Sequence, residues 1–237
     1  MSRIFVVMTK SVKTNLASRT IFGFVFLILL VGILLMAPAW TFDFWQAWAY
    51  LTIFGVSSAL ITAYLWKRDP KLLERRVNAG PAAEKEGKQK LIQAFASLAF
   101  LGLMILPALD HRFGWSRVPP FIEIAGDAFV VLSYYLIWLV FKENSFTAAT
   151  IEVASDQTVI STGPYAIVRH PMYAGALIMI FGTPLALGSW WGLLMSVAMT
   201  LVIVWRLLDE EKFLVRNLPG YEEYCRKVRY HLVPFVW

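Results

Sequence analysis

The sequence predicts an all-α protein: a polytopic transmembrane helical bundle of about six spans, the last two a helical hairpin, with a cytosolic C-terminal helical tail. Three observations carry this. The chain of 237 residues is 58% hydrophobic and 16% charged, whereas soluble domains have about a quarter of their residues charged. Its apolar residues gather into runs long enough, as helices, to cross about 30 Å of hydrocarbon. Its 10 Trp and 9 Tyr suit the two membrane–water boundaries, where amphipathic rings concentrate.

Each element follows from local pattern. Residues 1–19 are a polar, basic lead with Arg3, Lys10, Lys13 and Arg19. No cleavable signal is expected, because the apolar run that begins near Thr20 is too long for a signal's apolar core. That run, residues 20–36, is closed by Pro38. Residues 39–43 turn the chain. The second span, 44–66, has Trp45, Trp48 and Tyr50 at its start and Tyr64 and Trp66 at its end. Residues 67–90 are the longest charged loop, read as a solvated, partly helical connector, with a lid or a lipid-headgroup patch as the alternative. The third span is 91–109, with Pro107 near its end. A polar turn, 110–120, leads to the fourth span, 121–141. Glu123 and Asp127 lie four apart on one face near its start. An acid in a membrane segment is a functional candidate, yet the positive helix end and interfacial water stabilise both in place. Residues 1–141 are thus four membrane helices, and 142–237 are expected to be the catalytic subdomain.

In that second part, apolar runs 172–187 and 190–208 flank Gly188-Ser189 and are expected to form a tight hairpin, with Pro184 a candidate kink. Gly175 and Gly182, seven apart, allow close helix approach. Residues 209–230 are polar and amphipathic, and 231–237 are apolar. Apart from Arg112 and Arg117, the basic residues fall on one side of these spans. That pattern predicts cytoplasmic N- and C-termini in an integral membrane protein, with a bacterial inner membrane as the expected location. The net charge of +6 is then explained by topology and anionic lipid, so the bilayer is the expected partner and nucleic acid is not. Cys225, the sole cysteine, reads as a reduced bystander.

The hairpin brings chemistry together. Arg169 and His170 precede its first helix, and Arg206, Glu210 and Glu211 end its second. If the chain crosses and returns, they meet at one interface. Pro171 suits a first helical position, whose free N–H groups favour an anion. Arg169 adds a donor fork for carboxylate or phosphate. A glutamate beside it can hold an amine or ribose hydroxyls. The set suits a zwitterion such as an amino-acid moiety. The competing reading is that these side chains are interfacial anchors that snorkel. No GxGxxG after a strand, no phosphate loop and no GxSxG serine is present. His111, His170 and His231 lack metal-ligand spacing, so no metal is expected.

Gly163-Pro164-Tyr165, Arg169-His170-Pro171-Met172-Tyr173, Arg206 with Glu210-Glu211, Gly220-Tyr221, Tyr224 and Pro234 together resemble the C-terminal half of the isoprenylcysteine carboxyl methyltransferases. That family is grouped with the phospholipid N-methyltransferases. The resemblance implies an S-adenosylmethionine-dependent membrane methyltransferase without a Rossmann domain, releasing S-adenosylhomocysteine. It implies cofactor contacts at Gln157, Thr158, Val159, Ile160, Tyr165, His170, Pro171, Met172, Tyr173 and one of Glu210 and Glu211. Arg206 matches the position that would hold a substrate carboxylate, with Arg169 the second candidate catalytic residue, and Asn144 matches an upstream asparagine. The chain departs from the family's Phe-Gly at Leu218-Pro219-Gly220, an extra residue that leaves the choice between the two glutamates open.

The expected reaction is methyl transfer to a lipophilic acceptor. No residue stands out as a dedicated base, which favours a carboxylate or thiol acceptor over an amine. The alternatives are phospholipid amine N-methylation and, outside enzymes, a small transporter or scaffold. A transporter would gather polar groups at mid-membrane in broken helices, and these spans do not.

Overall fold

The computed structural model describes residues 2–77, 84, 86–147, 149–151, 153–154 and 156–237, with backbone alone for 2–14. Among these residues there are eight α-helices, one 3-10 turn and no strand: α1 (Ser2–Ala39), α2 (Trp45–Arg68), α3 (Pro70–Val77), α4 (Gly87–Phe113), α5 (Pro120–Glu143), the 3-10 turn Gly163–Ala166, α6 (Pro171–Ala186), α7 (Gly192–Asn217) and α8 (Tyr221–Lys227). Five helices are long and apolar enough to cross a membrane: residues Asn15–Ala39 of α1, then α2, α4, α5 and α7. The fifth expected span forms α6, apolar but only 16 residues long, or about 24 Å at 1.5 Å per residue.

Helix ends follow their capping residues. Asp69 Oδ1 accepts the Leu72 N–H at 2.9 Å, and Pro70 opens α3, the cap-then-proline order that starts a helix. Lys67 and Arg68 end α2, where cations oppose the negative helix end. Gly114 ends α4 at φ 64°, a left-handed conformation that costs glycine little. Helix α4 runs four residues past its expected span at each end, and the two largest differences from the sequence reading are at α1 and α7. Helix α1 reaches back to Ser2, because the basic lead contains no breaker. Helix α7 runs nine residues past Leu208 to Asn217, because Asp209–Arg216 are good helix formers that only change the face from apolar to polar. Within the 67–90 loop, residues 78–83 and Lys85 lie outside the described residues.

Helices α5 and α6 pack at backbone range. A Cβ at Gly182 would stand 2.8 Å from Phe129 Cβ and 3.0 Å from the Gly126 carbonyl, and one at Gly175 would stand 3.2 Å from Ile137. Ser133 Oγ donates to the Gly175 carbonyl at 2.7 Å. Glycine at both α6 positions lets the two helices close with almost no side chain between them. Around this pair, Leu35, Phe44, Tyr50, Leu103, Val130, Ile180 and Leu187 make the main core. A second cluster, Val140, Tyr165, Leu218, Tyr221, Tyr224 and Val228, lies beyond the helix ends.

The two ends of the bundle carry separate polar groups. At the α6–α7 turn, buried Asp110 accepts the Ser116 N–H and hydroxyl, each at 2.6 Å, and the Ser189 hydroxyl. Ser189 Oγ in turn accepts the Gly192 N–H at 3.0 Å, so one carboxylate pins the α4–α5 turn to the hairpin turn. Nearby, Gln46 Nε2 donates to buried Glu123 at 3.0 Å. The opposite end, where α5 stops and α6 begins, holds the candidate site.

Candidate active site

The start of α6 is held by the chain's last segment. The Arg169 and His170 N–H groups donate to the Tyr230 and His231 carbonyls at 2.8 and 3.0 Å. Arg169 spends its guanidinium on the same segment: Nε to the Val228 carbonyl at 2.8 Å, Nη2 to the Arg229 carbonyl at 2.9 Å, and Nη1 to Glu211 Oε1 at 2.6 Å. Glu211 Oε2 also accepts from His231 Nε2 at 3.0 Å. Burial pushes the His231 imidazole below its ordinary pKa against the pull of Glu211, so at neutral pH the neutral ring donates from Nε2. Glu211 is therefore the knot that ties α7, Arg169 and the tail together.

Glu210 faces elsewhere. It accepts from the Tyr173 hydroxyl at 2.5 Å, and that hydroxyl accepts from Arg206 Nε at 3.1 Å. The remaining Arg206 donors go to Gln89 Oε1 at 3.2 Å, buried Glu84 Oε1 at 2.8 Å and the Ala149 carbonyl at 2.9 Å. Successive helical residues point about 100° apart. Adjacent glutamates therefore enter different surroundings.

The preceding loop closes the far wall. Gly163 opens the 3-10 turn at φ 56° against the Glu143 side chain, a conformation and clearance that favour glycine. The turn buries Tyr165, whose hydroxyl accepts from Asn144 Nδ2 at 3.0 Å and whose carbonyl accepts from the Tyr224 hydroxyl at 2.8 Å. Burial raises the pKa of the Tyr165 and Tyr224 hydroxyls, so both stay protonated.

These walls surround a cavity of about 460 Å³, within the roughly 300–1,000 Å³ of small-molecule sites. Gln157, Thr158, Val159, Ile160 and Tyr165 line it from the loop, His170, Pro171, Met172 and Tyr173 from the start of α6, and Arg206 and Glu210 from α7. Asn144 and part of Arg169 also reach it, whereas Glu211 stands behind the wall. Among the described residues, two buried polar atoms there have no hydrogen bond: the Tyr221 hydroxyl, and His170 Nε2, whose one polar neighbour is its ion-pair partner Glu211 Oε1 at 3.5 Å.

The sequence reading did not single out Arg76, Gln93, Phe146 or Thr147, which also line the cavity, and it gave Tyr221 no role. Arg76 sits over the Phe141 ring at 5.4 Å, and burial lowers the pKa of its guanidinium. Nothing in the charged loop distinguishes it from its exposed neighbours. Tyr221 stood within the quoted Gly-Tyr motif, and that was the available signal.

Known proteins share sequence with this chain. Residues 121–219 match the family described as "Phospholipid methyltransferase". A "Probable protein-S-isoprenylcysteine O-methyltransferase" of Oryza sativa subsp. indica is 33% identical over 154 residues, 62% of this chain and 75% of the relative. The "Protein-S-isoprenylcysteine O-methyltransferase" of Schizosaccharomyces pombe is 37% identical over 75 residues, 31% of this chain and 32% of the relative. A Delta(14)-sterol reductase of Mus musculus is 31% identical over 91 residues, 37% of this chain and 22% of the relative. The chain is an integral membrane methyltransferase, and it belongs to the isoprenylcysteine O-methyltransferase and phospholipid methyltransferase family.

Proposed function

We propose that the protein transfers the methyl group of S-adenosylmethionine to a carboxylate, or a thiol, on a lipophilic acceptor of the isoprenylcysteine type. The observation that carries this is the composition of the cavity wall. One wall offers an acidic acceptor, Glu210, beside the side chains of His170 and Tyr221. The other offers the apolar faces of Val159, Ile160 and Met172. A zwitterionic nucleoside ligand needs both. Glu210 suits hydroxyls or an ammonium, His170 and Tyr221 suit an anionic or hydroxyl oxygen, and the apolar faces suit a base. Glu211 is already spent on Arg169 and His231, so Glu210 is the glutamate proposed to contact the cofactor.

The cofactor supplies an activated methyl on a sulfonium. The protein's part is placement, since holding two reactants in line removes much of the barrier. Arg169 is a positioning residue that fixes the start of α6 through the Val228 and Arg229 carbonyls. Arg206 supplies positive charge where an anionic acceptor would lie. A carboxylate needs no base, which fits a site whose carboxylates are already engaged, Glu210 with Tyr173 and Glu84 with Arg206. The likeness to relatives named for isoprenylcysteine O-methylation supports this acceptor. The match to the phospholipid methyltransferase description keeps phospholipid amine methylation as the second reading. In both readings residues 142–237 form the catalytic part. Both termini lie in the cytoplasm, so the water-soluble cofactor enters there and the acceptor enters from the bilayer.

Calorimetry of the purified protein should give one S-adenosylhomocysteine bound per chain, and folded protein with no binding would sink the proposal. Incubation with labelled cofactor and, separately, prenylcysteine analogues, phosphatidylethanolamine and small thiols should label the prenylcysteine carboxylate most. Label in phosphatidylethanolamine alone would select the second reading.

A further inference from the structure

Arg206 reaches the cavity with its best donors already taken. Nη2 serves Glu84 at 2.8 Å and the Ala149 carbonyl at 2.9 Å, Nε serves the Tyr173 hydroxyl at 3.1 Å, and Nη1 serves Gln89 at 3.2 Å. Among the described residues one N–H, on Nη1, is left over. An arginine recognises a carboxylate strongly with two parallel N–H groups. An anionic acceptor can obtain a second only by replacing one of these partners. Three of them are neutral: the Tyr173 hydroxyl and the Ala149 carbonyl, from residues that line the cavity, and Gln89 of α4. Glu84 alone is a carboxylate, only 4% exposed, and it comes from the segment between α3 and α4 rather than from the bundle. Its other oxygen accepts the Ile151 N–H at 3.4 Å.

We propose that Glu84 is an internal stand-in for the acceptor's carboxylate, occupying Arg206 until the acceptor exchanges with it. This rests on the carboxylate-acceptor reading above. The exchange is like for like. A buried arginine left without a counter-charge is strongly unfavourable, and Glu84 covers Arg206 in the unloaded site, as the acceptor does in the loaded one. The same logic governs the end of a turnover. Methylation converts the acceptor's carboxylate into a neutral ester, which no longer matches Glu84 as a counter-ion. Glu84 returns to Arg206 and the ester is expelled. Glu84 thus makes the site selective for anionic acceptors over their own products.

The test uses the full chain in lipid nanodiscs with two probes, N-acetyl-S-farnesyl-L-cysteine and N-acetyl-S-farnesylcysteamine, which lacks the carboxylate. In Glu84→Gln the internal competitor is neutral, so the anionic probe should bind roughly tenfold tighter, as removal of a competing state predicts. The cysteamine probe and S-adenosylhomocysteine should bind as before. Equal or weaker binding of the anionic probe would overturn the proposal and leave Glu84 a support for Arg206. A second measurement needs no variant. In the native chain the anionic probe, and not the cysteamine probe, should speed hydrogen exchange at the Ile151 amide, because its acceptor leaves. Slower or unchanged exchange there overturns the proposal as well. If Glu84→Gln tightens the anionic probe but neither chain methylates it, the exchange stands and the acceptor reading falls.

Discussion

The bundle has a buried polar cluster at each end, and the two are built differently. At the hairpin turn, Asp110 is wholly enclosed and takes all its hydrogen bonds from Ser116 and Ser189. At the other end, Arg206, Tyr173 and Glu210 are just as well connected to one another, yet they border a cavity of about 460 Å³. Buried polar atoms without hydrogen bonds occur at both ends, Gln46 Oε1 and Asp127 Oδ1 at the first and His170 Nε2 and the Tyr221 hydroxyl at the second. Burial, polarity and unused bonding capacity therefore do not mark a ligand site by themselves, and charged side chains lining open space do.

That contrast can be broken by substitution. The largest expected effect is at Glu210: Glu210→Ala should weaken S-adenosylhomocysteine binding roughly 100-fold, about 2.7 kcal/mol, while stranding the one Tyr173 hydroxyl should cost about 1 kcal/mol of stability. His170→Ala should weaken the same binding about tenfold, by the loss of one buried donor. Unchanged binding in both would remove the site from this end of the molecule. Asp110→Ala should do the reverse. It strands three donors, so it should cost about 3 kcal/mol of stability while cofactor affinity, measured on the folded fraction, stays the same. Glu211→Gln sits between the two cases. It should cost about 1–2 kcal/mol by loosening Arg169 and His231 and weaken cofactor binding only by a few-fold. A loss as large as that of Glu210→Ala would mean that Glu211 touches the ligand. The smallest effect belongs to Arg226→Ala, whose pair with Glu222 lies in solvent. It should change neither readout.

Much of this was legible in the residues, because membrane helices announce themselves by length and hydropathy. Five of the six expected spans, the hairpin, and the meeting of Arg169 and His170 with Arg206 and Glu210 follow from run lengths and from where Gly188-Ser189 falls, whereas the fifth expected span is the 16-residue α6. The choice between Glu210 and Glu211 was not legible. Both are charged residues at one helix end, and only the rotation of α7 against α6 decides which faces the cavity. Glu84 was also hidden. In sequence it is one charge among many in the 67–90 loop, and its burial beneath Arg206 is a contact across 122 positions. Arg76 was hidden for the same reason. The start of α1 was not legible, because a basic stretch without proline or glycine carries no mark of where a helix begins.

The shortness of α6 has a physical consequence for the membrane itself. A helix of 16 residues falls about 6 Å short of a hydrocarbon layer near 30 Å thick. If its Ala186 end, held against the hairpin turn, sits at one boundary of that layer, its Pro171 end and the cavity that begins there would lie below the level of the headgroups. Thinning the bilayer locally around that face would cost only fractions of a kcal/mol per ångström. Such a placement would make a shallow well of water let into the oily layer. A polar reagent can descend into it and a greasy one can drift up to its rim, so neither has to leave the phase in which it is soluble.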